Sequence, residues 1–246
     1  MCGIMGYIGT NRNATAVILD GLNKLEYRGY DSAGICTLQD DGLCIQKKKG
    51  RLADLTESMG EFPVSSIGIG HTRWATHGVP SDNNAHPHCD CSGRIAVVHN
   101  GIIENYASLR KDLILEGHDF VSETDTEVVV HLVERYYKGS LEEAVRKTLA
   151  DLQGSFALAI MCQDEPDTLV AVKKDSPLII GLGEGENYVA SDIPAILGRT
   201  SQVYIMEDNE LAVVTAGEVK ITDLAGNPIN KEVFTVTWDP VAAEKG

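Results

Sequence analysis

The chain has 246 residues, with 21 Lys plus Arg against 36 Asp plus Glu, a formal net charge of −15, and 43% apolar residues. An apolar share near the globular average excludes a disordered chain, and this length buries roughly 70–75% of the unfolded surface without a disulfide or metal staple. The acidic excess argues against a nucleic-acid or anionic-membrane surface, and the one basic run, Lys47 to Lys49 with Arg51, reads as a solvated strand end or loop.

Residues 3 to 9, GIMGYIG, read as a short buried strand, and Val17, Ile18, Gly21, Leu22 and Leu25 recur at helical spacing over 14 to 27. Ala33 to Leu38 and Leu43 to Gln46 read as strands joined across Gln39-Asp40-Asp41-Gly42, and Ile67 to Thr72 and Arg94 to His99 as two more. Between those last two, Ala75 to Ser92 is a polar, His-rich loop of a length that compact domains reserve for function. Three helices are expected next. The first covers about 103 to 116. The second opens on Thr124-Asp125-Thr126-Glu127, the third on Ser140-Leu141-Glu142-Glu143, both with the capping-box pattern. From Gly154 the period changes to strands at 156–162, 168–172, 178–182, 188–190, 203–206, 210–215 and 219–221. Strands, then helices, then strands predict an α+β domain of two sheets with helices outside, not a βαβ parallel sheet.

Six cysteines without a CxxC pair, and no N-terminal apolar segment ahead of a cleavage site, predict free thiols in a reducing cytoplasm. No apolar run is long enough to span a bilayer. His86-Pro87-His88-Cys89-Asp90-Cys91 concentrates metal-ligand types, but without CxxC spacing or a second cluster to close a tetrahedron, so no metal is expected. Gly181 to Glu186 lacks the Lys of a phosphate loop and leads into a strand, so it reads as a hairpin turn.

Four positions carry candidate chemistry. Cys2, once an initiator Met is trimmed, joins a thiol to an α-amine of pKa roughly 7.7–8.0 that can serve as its base; it could equally be a small core residue. His99-Asn100-Gly101 ends a strand and turns toward a helix, where an amide and an unhindered N–H suit an oxyanion, or simply a turn. Arg73, after a strand in His71-Thr72-Arg73-Trp74-Ala75-Thr76-His77-Gly78, could grip a carboxylate with Thr76 beside it, or solubilise a strand end. Asp125 could bind an ammonium or stabilise a helix dipole.

Cys2-Gly3-Ile4, the run Tyr27-Arg28-Gly29-Tyr30-Asp31-Ser32-Ala33-Gly34, the block from His71 to Gly78, Asn84 to His88, His99 to Asn105, and Ser122 to Glu127 occur in this order. Together they resemble the glutaminase (type 2 glutamine amidotransferase) domain of the glutamine–fructose-6-phosphate aminotransferase family, with weaker matches at Ser176-Pro177-Leu178 and Ala190-Ser191-Asp192. The resemblance implies a four-layer αββα N-terminal nucleophile (Ntn) hydrolase fold and hydrolysis of the L-glutamine side-chain amide through a Cys2 thioester. It implies that Asn100 and Gly101 hold the oxyanion, that Arg73 binds the substrate carboxylate and Asp125 its amine, with Thr76 and His77 in the pocket. Trp74 would belong to a closing loop and Arg28 would support the site. No cofactor is implied. Family members continue into a sugar-phosphate isomerase half and form homo-oligomers, so 2–240 is expected to be the glutaminase domain and 241–246 the start of a linker. The glutaminase domain of a phosphoribosyl-type amidotransferase and a noncatalytic glutamine-sensing module are the alternatives.

Overall fold

Apolar side chains alternate along the central strands, and both faces of each sheet are covered. In the first strand, β1 (Gly3–Gly9), Met5 and Tyr7 point to one core while Ile4 and Ile8 point to another. The computed structural model describes residues 2–11, 13–60 and 64–237. Met1, the end of the expected domain and the expected linker lie outside the described residues.

β1 is followed by α1 (Ala14–Leu25), β2 (Ser32–Gln39), β3 (Gly42–Lys49), α2 (Leu52–Met59), β4 (Ile67–Arg73), β5 (His88–Cys89) and β6 (Ile95–Ile103). Three helices come next: α3 (Tyr106–Leu115), α4 (Glu127–Tyr136) and α5 (Leu141–Asp151). The remaining strands are β7 (Gly154–Cys162), β8 (Leu169–Lys174), β9 (Ile179–Leu182), β10 (Glu186–Ala190), β11 (Gln202–Ile205), β12 (Glu210–Val214), β13 (Val219–Thr222) and β14 (Phe234–Thr235). Among the described residues they form an eight-stranded sheet, β14-β11-β9-β10-β1-β4-β2-β3, and a six-stranded sheet, β13-β12-β8-β7-β6-β5, with every strand pair antiparallel.

Three cores separate four layers. α1 and α2 bury Val17, Ile18, Leu22 and Leu55 against the eight-stranded sheet. α3, α4 and α5 bury Leu113, Val129, Leu132 and Val145 against Val97, Leu158 and Ile160 of the six-stranded sheet. Between the sheets, Ile4, Ile8, Ile67 and Ile69 meet Ala96, Ala157, Ala159 and Ala171. The small side chains on the six-stranded side let branched ones from the other sheet fill the gap at close packing. This is the expected α+β, αββα arrangement, and Gly183 to Gly185 does turn a hairpin between β9 and β10.

Several local expectations need correction. β6 does not stop at His99; it pairs with β7 from Ile95 through Ile103, so Asn100-Gly101 lies inside a strand and the helix begins only at Tyr106. The capping box at Thr124 does not form. Thr126 is the cap residue without a side-chain bond, and the Glu127 carboxylate reaches back instead to Val121 N (2.8 Å), Ser122 N (2.8 Å) and Ser122 Oγ (2.6 Å). Ser140 does accept from Glu143 N, at 3.3 Å. The helix expected to reach 27 ends at Leu25 and tightens into a 3-10 turn over Glu26–Arg28. α2 was not anticipated, although Leu52, Leu55 and Met59 stand at helical spacing.

Candidate active site

The beginning of β1, the end of β4 and the middle of β6 meet at one end of the two sheets, and each brings one candidate residue: Cys2, Arg73 and Asn100. They line a cavity of about 300 Å³ together with Arg28, Trp74, Thr76, Gly101 and Asp125. Of the nine residues expected in the site, His77 alone does not line it; it stands behind, its Nδ1 3.9 Å from Asp125 Oδ1.

The Cys2 thiol is held by the backbone of one residue. Trp74 N donates to Cys2 Sγ at 3.1 Å, and the thiol lies 3.5 Å from Trp74 O. Burial pushes the Cys2 thiol above its usual range, and the Trp74 N–H and the nearby Arg73 charge oppose this without reversing it. Its carbonyl accepts from Asn100 Nδ2 at 3.0 Å and from Arg28 Nε at 3.3 Å. Arg28 in turn pairs through Nη1 with Asp192 Oδ2 at 2.5 Å, and Tyr27 Oη donates to the same oxygen at 2.7 Å.

Asn100 is oriented by a residue to which no role was expected. His71 Nε2 lies 3.0 Å from both Asn100 Oδ1 and the His99 carbonyl. A signal for it existed: along a strand, residues two apart share a face, so Arg73 in the site places His71 beside it. Gly101 has φ of +130°, and a Cβ there would stand 2.1 Å from the Ser155 carbonyl, so only glycine fits.

Arg73 is 4% exposed, and its Nη2 donates to the carbonyls of His77 and, at 3.2 Å, Gly78. Its Nη1 has no hydrogen-bond partner among the described residues. Burial lowers the guanidinium below its usual range, with Cys2, Asp125 and Asp31 holding it up. Asp125, equally buried, accepts from Ile103 N through Oδ2 at 2.8 Å. A guanidinium with an unused donor and a carboxylate on the same wall offer one anion and one cation contact.

The loop after β4 is braced from below. Asp31 N donates to Arg73 O at 2.9 Å, and Ala75 N donates to Asp31 Oδ2 at 2.8 Å. Trp74 itself is exposed and stacks edge-on against Tyr30. Gly34 lets the His86 backbone approach: a Cβ would fall 2.1 Å from His86 O. His86, His99, Ile102, Thr126, Ser155, Ser176 and Pro177 complete the lining without having been assigned there.

A thiol on the residue just before a central strand, opening on a cavity between two stacked antiparallel sheets flanked by helices, defines the class of Ntn-hydrolase-fold amidotransferases. Residues 71–198 match the glutamine amidotransferase domain family, and the chain belongs to that family. It is 56% identical over its whole length to a Caldanaerobacter subterraneus subsp. tengcongensis protein named glutamine–fructose-6-phosphate aminotransferase (isomerizing), and 54% identical to its Clostridium tetani namesake. The chain spans 40% of the length of each of these relatives. Among solved structures, the glutamine phosphoribosylpyrophosphate amidotransferase of B. subtilis, complexed with ADP and GMP, superposes with a TM-score of 0.79 at 26% identity. That match covers 92% of this chain and 50% of the other. No helix of the described residues is long and apolar enough to cross a membrane.

Proposed function

We propose that this chain hydrolyses the side-chain amide of L-glutamine, as the glutaminase half of a glutamine–fructose-6-phosphate aminotransferase. The observation that carries the reading is the convergence of Cys2, Asn100, Gly101 and Arg73, whose buried Nη1 has no partner among the described residues, on one cavity. The glutamine α-carboxylate takes that Nη1, and its ammonium takes Asp125, which leaves the side-chain amide extended toward Cys2. Thr76 adds a hydroxyl to the pocket, His77 backs Asp125, Trp74 covers the thiol and Arg28 fixes the Cys2 backbone.

With Met1 removed, the Cys2 α-amine accepts the thiol proton as Sγ bonds to the amide carbon. The carbonyl electron pair moves to oxygen, where the second N–H of Asn100 Nδ2 and the Gly101 N–H receive it. Collapse breaks the C–N bond, the α-amine passes its proton to the departing nitrogen, and ammonia leaves. Water then adds to the thioester with the same amine as base, releasing glutamate and restoring the thiol. In the whole enzyme the ammonia aminates fructose 6-phosphate to glucosamine 6-phosphate on a covalently linked isomerase half. Residues 2–240 form the glutaminase domain and 241–246 begin the linker, and the full enzyme is a cytoplasmic homo-oligomer. Identity of 54–56% to the aminotransferases, against 26% to the phosphoribosylpyrophosphate enzyme, favours the hexosamine branch.

The test is ammonia release from glutamine, together with covalent capture by a glutamine-like electrophile and an N-terminal mass. Activity and labelling both lost in Cys2→Ala support the reading. Wild-type protein lacking Met1 that neither releases ammonia nor is labelled sinks it.

A further inference from the structure

Outside the cavity, three separate segments bring a thiol, two imidazoles and a carboxylate together. Cys91 comes from the turn between β5 and β6, His118 from the loop after α3, and His131 and Glu134 from α4. Their ligand atoms all lie within 4.8 Å of one another. Cys91 Sγ is 3.7 Å from His118 Nδ1 and 3.6 Å from His131 Nδ1; Glu134 Oε2 is 2.8 Å from the first ring nitrogen and 3.2 Å from the second.

We propose that Cys91, His118, His131 and Glu134 form a closed tetrahedral site for a zinc-like divalent transition metal. Tetrahedral bonds of about 2.3 Å to sulfur and about 2.0 Å to nitrogen or oxygen place S and N about 3.5 Å apart, and N and O about 3.3 Å apart. The four distances fall within about half an ångström of those edges. Hydrogen bonding alone crowds two ring nitrogens and the Cys91 N–H (3.3 Å) onto one carboxylate oxygen, whereas a cation draws one lone pair from each ligand.

The surroundings add an independent argument. His131 is 1% exposed, and its other nitrogen, Nε2, has no hydrogen-bond partner but faces the buried Glu127 carboxylate at 3.8 Å. A carboxylate behind a ring nitrogen is the usual outer partner of a metal-bound imidazole. Asp119 N, at 3.4 Å, donates to Cys91 Sγ and fixes the direction in which the sulfur faces the cluster. Four protein ligands leave no open position, so the metal's part is structural. It would tie the β5–β6 turn and α4 to the loop that carries Asp125. The expectation of no metal rested on local spacing, but the ligands that join Cys91 lie 27, 40 and 43 residues further on.

The test uses the intact chain, reduced, stripped with chelator, then equilibrated with Zn²⁺ and dialysed. The expected result is about one zinc per chain by elemental analysis, retained in Cys2→Ala but lost in Cys91→Ser and Glu134→Gln. Zinc should raise the Tm of the wild type by several degrees and leave that of Cys91→Ser unmoved. Co²⁺ should give the intense tetrahedral visible bands and a thiolate charge-transfer band that Cys91→Ser lacks. Folded Cys91→Ser that keeps as much zinc as the wild type, or wild type that keeps none after dialysis, overturns the proposal.

Discussion

His71 fixes which way Asn100 points. The His99 carbonyl, 3.0 Å from His71 Nε2, can only accept, so Nε2 carries the ring proton and the Asn100 atom facing it must be Oδ1. The amide NH₂ is thereby turned toward Cys2. Burial brings the His71 ring down to about 3, so it stays neutral at working pH and adds no charge beside the thiol. In the proposed reaction Asn100→Ala removes one oxyanion donor, worth on the order of 3 kcal/mol. Steady-state glutaminase kinetics should show kcat reduced about 100-fold or more with KM changed little; near-wild-type turnover would reject the oxyanion role.

If His71 acts only by aiming Asn100, its loss costs catalysis through that residue. His71→Phe keeps a ring in the slot but drops the donor, and kcat is expected to fall about 10-fold, the worth of roughly one hydrogen bond. In the Asn100→Ala background the same change should have almost no further effect on kcat. Additive losses in that double-mutant cycle would mean that His71 acts independently.

Arg73 carries two duties, and kinetics can separate them. One side of its guanidinium holds the His77 and Gly78 carbonyls, while Nη1 is left for the substrate carboxylate. A lost charge-assisted contact of about 1.5–3 kcal/mol predicts KM raised roughly 10- to 100-fold in Arg73→Ala, with a smaller change in kcat. Arg73→Lys restores charge but not the two-sided fork, so its KM should lie between the two. An unchanged KM in Arg73→Ala would mean that the carboxylate binds elsewhere.

Much of this architecture was legible because its signals are local. Period-two apolar runs marked most of the strands, and the helical faces at 14–25 and 141–151 stood out in the same way. What escaped depended on partners distant in sequence. Asn100-Gly101 reads as a turn until β7 supplies a partner for every residue from Ile95 to Ile103. β5 and β14 are two-residue pairings with no periodicity of their own. The site residues were legible as blocks, yet their bracing was not. Asp192 is 164 residues from Arg28, and His71 is 29 from the amide it orients.

Gly101 is the position where the backbone itself is the constraint. Its φ of +130° is costly for any side chain, and a Cβ would press on the Ser155 carbonyl 2.1 Å away in the paired strand. Gly101→Ala should therefore lose more than about 2 kcal/mol in urea unfolding and also lower kcat, since β6 must shift to relieve the contact. A variant with unaltered stability would show that this strand is more compliant than its pairing implies.

The histidines around the cavity give the domain an acid limit. His71, His86, His88 and His99 are all buried and all lowered, first by burial; His71 further disfavours charge on His86 and His88, and Arg73 adds to this at His71, His86 and His88. Asp125 opposes the shift at His99, and Glu127 at His88, without reversing either. A folded-state pKa below the unfolded value of about 6.5 means that the unfolded chain binds more protons below that pH. Stability from these groups is thus complete above about pH 6.5 and drains as pH falls, for His71 down to about 3. Each imidazole contributes up to about 1.4 kcal/mol per pH unit in that window. Urea melts at pH 7.5 and 5.5 should differ by several kcal/mol, with the lower pH less stable. His86→Phe, which removes one ring that must be buried uncharged, should reduce the difference. Equal stability at the two pH values would mean that these rings take up protons in the folded state, against the burial that surrounds them.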